Sequence, residues 1–344
     1  MTSSGPSVAR TVADLRRPPP APVEDARQYV NLWREAEALG GDRVRAMVLI
    51  LRTRGCYWAD LKGCTMCGYA RDTLGRSATP EEIREQLARA LRQHQGEPYV
   101  KIYTSGSFFD PREVPREVRE EVAIAFRGRA RRLLVETLPE FVQPDEVRDF
   151  RTAFGGELEV ALGLESTQDE VLRRAVNKGS SVEDYLAAAA RLKEAGALRK
   201  AYLLLKPPYL TEKEALQDAL TSVLRAAPHF DTLSVNPVHI QGGTVVEHLF
   251  RQGVYRPPWI WSLLEVLREG HAAIPREVRL VSFPTSGGNP RGIHNCLRCD
   301  ADLLARIQEA SLRQDFRELD VEPPCPCRET WRWEMELESL APEA

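Results

Sequence analysis

The sequence has no long apolar run and almost no excess of one sign of charge. No apolar segment of the 344-residue chain approaches the length of about 20 residues that a membrane helix needs. The polar N-terminus also lacks the apolar core of a signal peptide, which predicts a cytoplasmic protein without membrane contact. The 47 Lys and Arg residues against 50 Asp and Glu residues leave a net charge of −3, so the overall charge does not indicate nucleic-acid binding.

A local basic run is one candidate for a docking surface. It comprises Arg127, Arg129, Arg131 and Arg132. Charge need only be concentrated where a partner binds, so the net charge does not exclude such a site. A solvated helix end is the preferred interpretation of the run.

Cysteine is also infrequent, and its seven copies are not scattered. An odd number in a chain without a secretion signal argues against a disulfide framework. All seven fall into three tight groups: Cys56, Cys64 and Cys67; Cys296 and Cys299; Cys325 and Cys327. Thiols that serve as small apolar core residues would not cluster in this way, so we interpret the groups as metal ligands.

From about residue 45 the chain repeats a short apolar strand, a loop and an amphipathic helix. The predicted strands are Ala46–Leu51, Tyr99–Thr104, Leu133–Thr137, Leu158–Leu164, Ala201–Leu205 and Thr232–Val235. Capping boxes that begin at Thr79 and Thr211 mark two helix starts. Six such units predict an α/β fold, an open, partial (βα)6 TIM-like barrel, with a flat doubly wound sheet as the alternative.

Two boundaries divide the predicted fold. Residues 1–44 are predicted to form an N-terminal extension, with a Pro-rich stretch from Arg17 to Pro22 and a helix over Tyr29–Leu39. Residues 45–270 form the barrel. Residues 271–344 form a small cysteine-rich metal-binding region that opens with a strand, Glu277–Phe283.

Cys56, Cys64 and Cys67 lie in a loop directly after the first predicted strand, with the spacing C-x7-C-x2-C. Loops after strands form the C-terminal face of a parallel barrel, where active sites are built. Three thiolates without a nearby histidine suit a [4Fe–4S] cluster whose fourth iron is free to bind S-adenosylmethionine, and electron transfer from the cluster then cleaves the cofactor to a deoxyadenosyl radical. A structural zinc site with a fourth ligand from the tail is the alternative.

This pattern resembles the radical S-adenosylmethionine superfamily. The first gap is longer than in the superfamily's commonest spacing, C-x3-C-x2-C, and is similar to the branch that contains the elongator catalytic subunit. The segment Tyr103-Thr-Ser-Gly-Ser-Phe-Phe-Asp110 occupies the position of the superfamily's glycine-rich motif. The resemblance therefore implies cofactor contacts from Ser105, Gly106 and Ser107.

The resemblance also implies cofactor-binding residues at the ends of the next two strands. Glu136 ends the third strand, and Glu165 with Ser166 ends the fourth, where related enzymes bind the methionine or ribose parts of the cofactor. Glu136 could instead be a structural partner of Arg52 or Arg54. Lys206 and His239 follow the fifth and sixth strands, but each could equally be a solvated or packing residue.

The cysteine tail predicts a second metal site. Cys296 and Cys299 are followed, 26 residues after Cys299, by Cys325 and then Cys327, with a helical stretch over 303–313 between the pairs. Two close pairs of thiols match a four-cysteine site, for which zinc is the default metal and a second iron–sulfur cluster the alternative. Trp331 and Trp333 are predicted to pack over this site.

A finer resemblance is to the radical S-adenosylmethionine subunit of archaeosine synthase. It is carried by the segments Gly55-Cys-Tyr-Trp58, Gly63-Cys-Thr-Met-Cys-Gly-Tyr69, Tyr103-Thr-Ser-Gly-Ser-Phe108 and Tyr255-Arg-Pro-Pro-Trp-Ile-Trp261 and by the tail cysteines. It implies an enzyme that cleaves a C–N bond of a lysine-bearing 7-deazaguanosine in the tRNA D-loop. A lysine-transferring partner subunit and a tRNA substrate are the implied partners.

Two other hypotheses remain open at the level of sequence. The chain could be a radical enzyme that acts on a different tRNA base or on a small molecule. It could also be a non-catalytic zinc-binding RNA module, in which both cysteine groups hold zinc.

Overall fold

The computed structural model describes Val12, Asp14, Leu15 and residues 25–320 and 323–337. An open barrel of eight strands occupies its centre, with the strands in chain order. β1 pairs antiparallel with β2, and all later neighbours are parallel, which confirms the predicted α/β partial barrel. The strands are β1 Asn31–Leu39, β2 Asp42–Ile50, β3 Tyr99–Tyr103, β4 Arg132–Thr137, β5 Glu157–Glu165, β6 Leu198–Leu205, β7 Thr232–Pro237 and β8 Arg279–Val281.

Helices connect the parallel strands and cover the outer face of the sheet. They are α1 Tyr57–Leu61, α2 Pro80–Leu91, α3 Arg116–Phe126, α4 Pro144–Phe154, α5 Asp169–Val171, α6 Val182–Glu194, α7 Glu212–Ala226, α8 Val245–Arg251, α9 Ile260–Ala273, α10 Asp300–Arg313 and α11 Cys327–Leu337. The capping boxes at Thr79 and Thr211 are present, as predicted. Within the described ranges no helix has the length and apolarity to cross a membrane.

The helix predicted over Tyr29–Leu39 is wrong, because this segment forms β1. A two-residue turn, Gly40-Gly41, with φ values of +63° and +91°, joins β1 to β2 as a hairpin. Such a glycine pair is a hairpin signal that the helical composition of the segment masked. The Pro-rich stretch from Arg17 to Pro22 lies outside the described residues.

The sheet extends beyond both predicted boundaries. β1 lies before residue 45, and β8, shorter than the predicted strand Glu277–Phe283, lies after residue 270 and pairs with β7. The sheet therefore has seven parallel strands rather than six. Arg279 of β8 donates to the Ala38 carbonyl of β1 at 3.4 Å, which links the two edge strands. The division into three separate parts stays a prediction.

The interior of the barrel is polar at the end away from the C-terminal ends of the parallel strands. Lys101 is buried and pairs with Glu35 at 2.6 Å and with Glu37, both from β1. Higher in the barrel the hydroxyls of Tyr103 and Tyr202 lie 2.8 Å apart. The main apolar core lies instead between the sheet and its helices. Since the parallel strands all end at one edge, their loops gather the predicted site residues at a single mouth.

Candidate active site and tail metal site

The three-cysteine loop is fixed to the barrel mouth by hydrogen bonds to two other segments of the chain. Cys56 precedes α1, and Cys64 and Cys67 follow it. The backbone N–H of Thr65 donates to the Val176 carbonyl at 3.0 Å, and the Thr65 hydroxyl donates to Ala175 at 2.6 Å. At the other end of the loop the Gly68 N–H donates to the side chain of Gln241. The loop is therefore held in one conformation by contacts from outside it.

The three thiols form a neighbouring set of half-buried ligands. Burial raises the pKa of Cys56 to about 12 and raises those of Cys64 and Cys67, and nearby thiols add to the effect for Cys56 and Cys64. Thiols of this kind become thiolates only when a bound cation compensates the charge. The donor set therefore fits a metal centre.

The number of thiols in the triad suits a cluster with one iron free of protein ligands. The tail cysteines differ, because their four donor atoms all lie within 4.8 Å of one another. A tetrahedral zinc ion with Zn–S bonds of about 2.3 Å would hold its sulfurs about 3.8 Å apart. A [4Fe–4S] cluster instead binds each thiolate at a different iron. The ligand assignment itself stays a prediction.

The predicted glycine-rich segment packs directly against the first cysteine. A methyl group at position 106 would lie 2.7 Å from the backbone nitrogen of Cys56 and 2.8 Å from its Cα, so only glycine fits there. Ser105 has a left-handed backbone, with φ of +63°. Ser107 is buried and lies 2.6 Å from the hydroxyl of Thr137. The segment is thus shaped to run alongside the cluster loop.

A buried carboxyl, Glu113, supports this contact. It accepts hydrogen bonds from the Ser107 N–H at 2.6 Å and from the Thr53 hydroxyl at 3.0 Å. Burial raises the pKa of Glu113 to about 8. Glu113 therefore ties the loops after β2 and β3 together beneath Cys56.

Glu136 lies at the mouth and not in an arginine pair. It accepts from the Thr104 N–H at 3.2 Å, and burial raises its pKa to about 7. Arg52 binds the carbonyls of Gln28 and Asp72, and Arg54 binds Asp60. The alternative of a structural partnership with these arginines is therefore wrong.

Glu165 forms a buried ion pair at the end of β5. Its carboxylate accepts from the Lys178 ammonium at 2.9 Å, and both side chains are about nine-tenths buried. Burial opposes the charge of Lys178, but the Glu165 carboxylate outweighs it and raises the pKa of the lysine well above its usual value. Lys178 also acts to lower the pKa values of Cys64 and Cys67, so an ammonium lies beside the triad.

The local backbone explains how Lys178 reaches this position. A π-helical turn, Leu172–Val176, ends at Asn177 in a left-handed conformation with φ of +61°. The Asn177 amide donates to the Gly63 carbonyl at 2.7 Å, and Trp58 donates to the Asn177 carbonyl at 2.8 Å. The turn therefore carries the lysine back over the sheet and against the cluster loop.

Three other residues singled out from the sequence have defined partners. The hydroxyl of Ser166 donates to Asp218 at 2.7 Å. Lys206 is buried in a pair with Glu212 at 2.7 Å. His239 lies 3.1 Å from Gln241, at the side of the cluster loop, and burial lowers its pKa.

The four tail cysteines form a compact ligand set. Four of their sulfur–sulfur distances are 3.3, 3.5, 3.7 and 3.9 Å. These values are close to the spacing of about 3.8 Å expected around one tetrahedral zinc ion. The set is complete in itself, so it leaves no tail thiol to serve as a fourth ligand for the triad.

Indole and amide donors surround this set. Trp261 donates to the Cys327 sulfur and Asn295 to the Cys299 sulfur, each at 3.4 Å. Such N–H donors stabilise metal-bound thiolates. Trp331 is buried nearby, as predicted, but Trp333 is 55% exposed, which contradicts its predicted packing over the site.

The Arg-Pro-Pro-Trp segment holds the tail against the barrel. The Arg256 guanidinium lies 3.8 Å from the ring centroid of Trp259 and donates to the His294 carbonyl at 2.8 Å. The Trp259 indole donates to Glu334 of α11 at 2.8 Å. The segment therefore joins both halves of the tail to the start of α9.

Comparison with known proteins agrees with this geometry. The model of the Radical SAM superfamily matches residues 50–220. Archaeosine synthase subunit beta of Methanosarcina acetivorans is 35% identical over 339 residues, which cover 97% of this chain and 97% of that protein. The protein of the same name from Thermococcus kodakarensis is 34% identical over 315 residues, which cover 89% of this chain and 97% of that protein.

The chain belongs to the radical SAM superfamily. Within the superfamily it belongs to the family that includes archaeosine synthase subunit beta. Among solved structures, Elp3 of Methanocaldococcus infernus with an N-terminal deletion is 19% identical, with a TM-score of 0.45 over 59% of this chain and 54% of that chain. Membership of a radical SAM family implies a [4Fe–4S] cluster and S-adenosylmethionine as cofactors.

Two residues of this radical SAM site were missed by sequence reasoning. Lys178 is one of many basic residues in an unremarkable Asn-Lys-Gly stretch, and Glu113 lies in a charged segment typical of a surface loop. Only the fold shows that both are buried at the mouth. The left-handed Asn177 is the one local signal for Lys178, and the sequence does not reveal it.

We expect one zinc ion per chain in the tail site. Replacing Cys299 by alanine should remove the zinc and lower the free energy of unfolding by on the order of 5 kcal/mol, because the metal closes two distant segments of the tail. Metal analysis by mass spectrometry and urea unfolding would measure both effects. Loss of iron and sulfide rather than zinc from Cys299→Ala would contradict the zinc assignment.

Proposed function

We propose that this radical SAM enzyme catalyses the C–N bond-cleaving step that converts a lysine-bearing 7-deazaguanosine of tRNA to archaeosine. The observation that carries the proposal is the identity of 35% over 97% of the chain with archaeosine synthase subunit beta. The half-buried triad at the barrel mouth supports it, because this is where the family's chemistry requires its cluster. For this reaction we propose cytoplasmic tRNA as the substrate and a lysine-transferring subunit as the protein partner.

Each mouth residue has a proposed task in holding the cofactors. Bound together, the cluster and S-adenosylmethionine would supply the radical chemistry that the reaction needs at the substrate's lysine side chain. Cys56, Cys64 and Cys67 hold the cluster. The Lys178 ammonium is buried beside the triad in a pair with Glu165, and its remaining N–H groups can donate to the cofactor's carboxylate.

Acceptors for the rest of the cofactor lie on the same rim. Glu136 and Glu165 present carboxyl oxygens that can accept from the cofactor's amino group or ribose hydroxyls. The Ser105 and Gly106 backbone follows the cluster loop closely enough to line that pocket. Ser107 and Ser166 already use their hydroxyls in contacts with Thr137 and Asp218, so we propose that they position these loops.

Product analysis tests the proposed reaction. Reconstituted enzyme is incubated without oxygen with S-adenosylmethionine, a reductant and tRNA that carries the lysine adduct, and the tRNA digest is analysed by mass spectrometry. We expect archaeosine and deoxyadenosine to form together. Deoxyadenosine without archaeosine would contradict this substrate and favour a radical enzyme of the same family that acts on a different base or small molecule. Colourless protein with zinc at both cysteine groups would instead support the non-catalytic RNA module.

A further inference from the structure

An exposed arginine and two half-buried aromatic rings form a small platform beside Cys56. The Arg112 guanidinium lies 5.0 Å from the ring centroid of Tyr57 and 5.7 Å from that of Phe141. The two rings meet edge to face, with centroids 5.8 Å apart. We propose that this Tyr57–Arg112–Phe141 platform stacks an unpaired base of the RNA substrate, an inference that rests on the proposed function.

The platform is rigid before any ligand binds. Asp110 is buried and binds Arg112 through both carboxylate oxygens, at 2.9 and 2.7 Å. The Tyr57 hydroxyl donates to Glu140. Arg191 donates to the carbonyls of Pro139 and Val142 at 2.9 and 3.0 Å and so fixes the loop that carries Phe141. A surface held in this way loses little entropy when a partner binds.

The position of the platform points to the substrate. Its three members follow the ends of β2, β3 and β4, and Tyr57 is the residue directly after Cys56. The platform therefore lies on the rim of the mouth that holds the triad. The basic run of Arg127, Arg129, Arg131 and Arg132 occupies the turn after α3 and the first residue of β4, at the opposite end of the barrel, so it does not belong to this rim.

The chemistry of the platform favours a base over a phosphate. Asp110 already neutralises the Arg112 charge, so the group has little net attraction for an anion. The Arg112 side chain nevertheless remains 44% exposed. Unpaired RNA bases stack on guanidinium planes and on aromatic rings, and an enzyme that acts on a base within tRNA must unstack neighbouring nucleotides.

Substitution of Arg112 tests the inference. Arg112→Lys keeps the charge and the pairing with Asp110 but removes the planar group, whereas Arg112→Ala removes both. We expect each to raise the Kd for substrate tRNA about tenfold, the usual scale for loss of one stacked base. Fluorescence anisotropy would measure Kd, with iron content and melting temperature as checks on folding. Arg129→Ala, which alters an exposed residue at the opposite end of the barrel, is the matched control and should bind as the wild type does.

A scan of abasic positions identifies the partner base. Bases next to the modified nucleotide are removed one at a time, and one of these tRNAs should weaken wild-type binding to the level of Arg112→Lys, with no further loss when both changes are combined. Wild-type affinity in Arg112→Lys would overturn the stacking role. Additive losses at every abasic position would also overturn it. Wild-type protein that bound no tRNA would overturn the proposed function as well.

Discussion

Replacement of Cys64 by alanine is expected to abolish the formation of deoxyadenosine from S-adenosylmethionine. Loss of one thiolate leaves a cluster with two protein ligands, which cannot hold the cube in a cofactor-binding state. The rate should fall by at least about a thousandfold, because no other group in the site can take over the cleavage. Anaerobic assay of deoxyadenosine by chromatography, together with iron and sulfide counts, would measure the loss.

The tail provides the reciprocal control for this variant. Cys64→Ala should retain its zinc and its fold, because the tail sulfurs form a separate set within 4.8 Å of one another. Cys299→Ala should instead lose zinc and retain iron. Deoxyadenosine formation at the wild-type rate in Cys64→Ala would mean that the ligand assignment is wrong.

Replacement of Lys178 by methionine is expected to weaken the binding of S-adenosylmethionine without removing the cluster. Methionine keeps most of the side chain's volume but leaves Glu165 without its counter-ion and removes the cation beside Cys64. A charge-assisted hydrogen bond is worth about 1.5–3 kcal/mol, so we expect the Kd for the cofactor to rise about ten- to a hundredfold. Equilibrium dialysis with reconstituted protein would measure it.

Lys206 offers a matched control for this experiment. It is also a buried lysine paired with a glutamate, Glu212, at 2.7 Å, but it lies under the tail rather than beside the triad. Replacement of either lysine by methionine breaks a buried pair and should lower the free energy of unfolding by about 3–5 kcal/mol. Only Lys178→Met should change cofactor affinity. Equal affinities in Lys178→Met and wild type would contradict the proposed role of the lysine.

The repeating part of the fold could be predicted from local sequence signals. Strands β2 to β7 are short apolar segments between capped helices, and the capping boxes at Thr79 and Thr211 fix two helix starts. The cysteine groups could be assigned to metals for a similar reason, because their spacing is written in the sequence. These features depend on neighbours in the chain.

The features that could not be predicted depend on partners distant in the chain. Glutamate, alanine and leucine favour a helix in Tyr29–Leu39, yet pairing with β2 outweighs that preference. Glu35 and Glu37 both contact Lys101, which is 64 or more residues away. Their shared partner shows that they lie on one face of a strand, with its two-residue period, and this partner is visible only in the fold. The same holds for Lys178, whose role depends on Glu165 and on the cluster loop.

The antiparallel strand at the barrel's edge also limits how this enzyme can be shortened. A chain that began at residue 45 would retain Lys101 but lose Glu35 and Glu37, the carboxylates that compensate it. An uncompensated ammonium in that interior costs about 3–5 kcal/mol, a large part of a typical domain's stability. The exposed edge of β2 would also invite pairing between molecules. A protein that is expressed without β1 should therefore be insoluble. The smallest part of the chain that can be transplanted or fused includes β1.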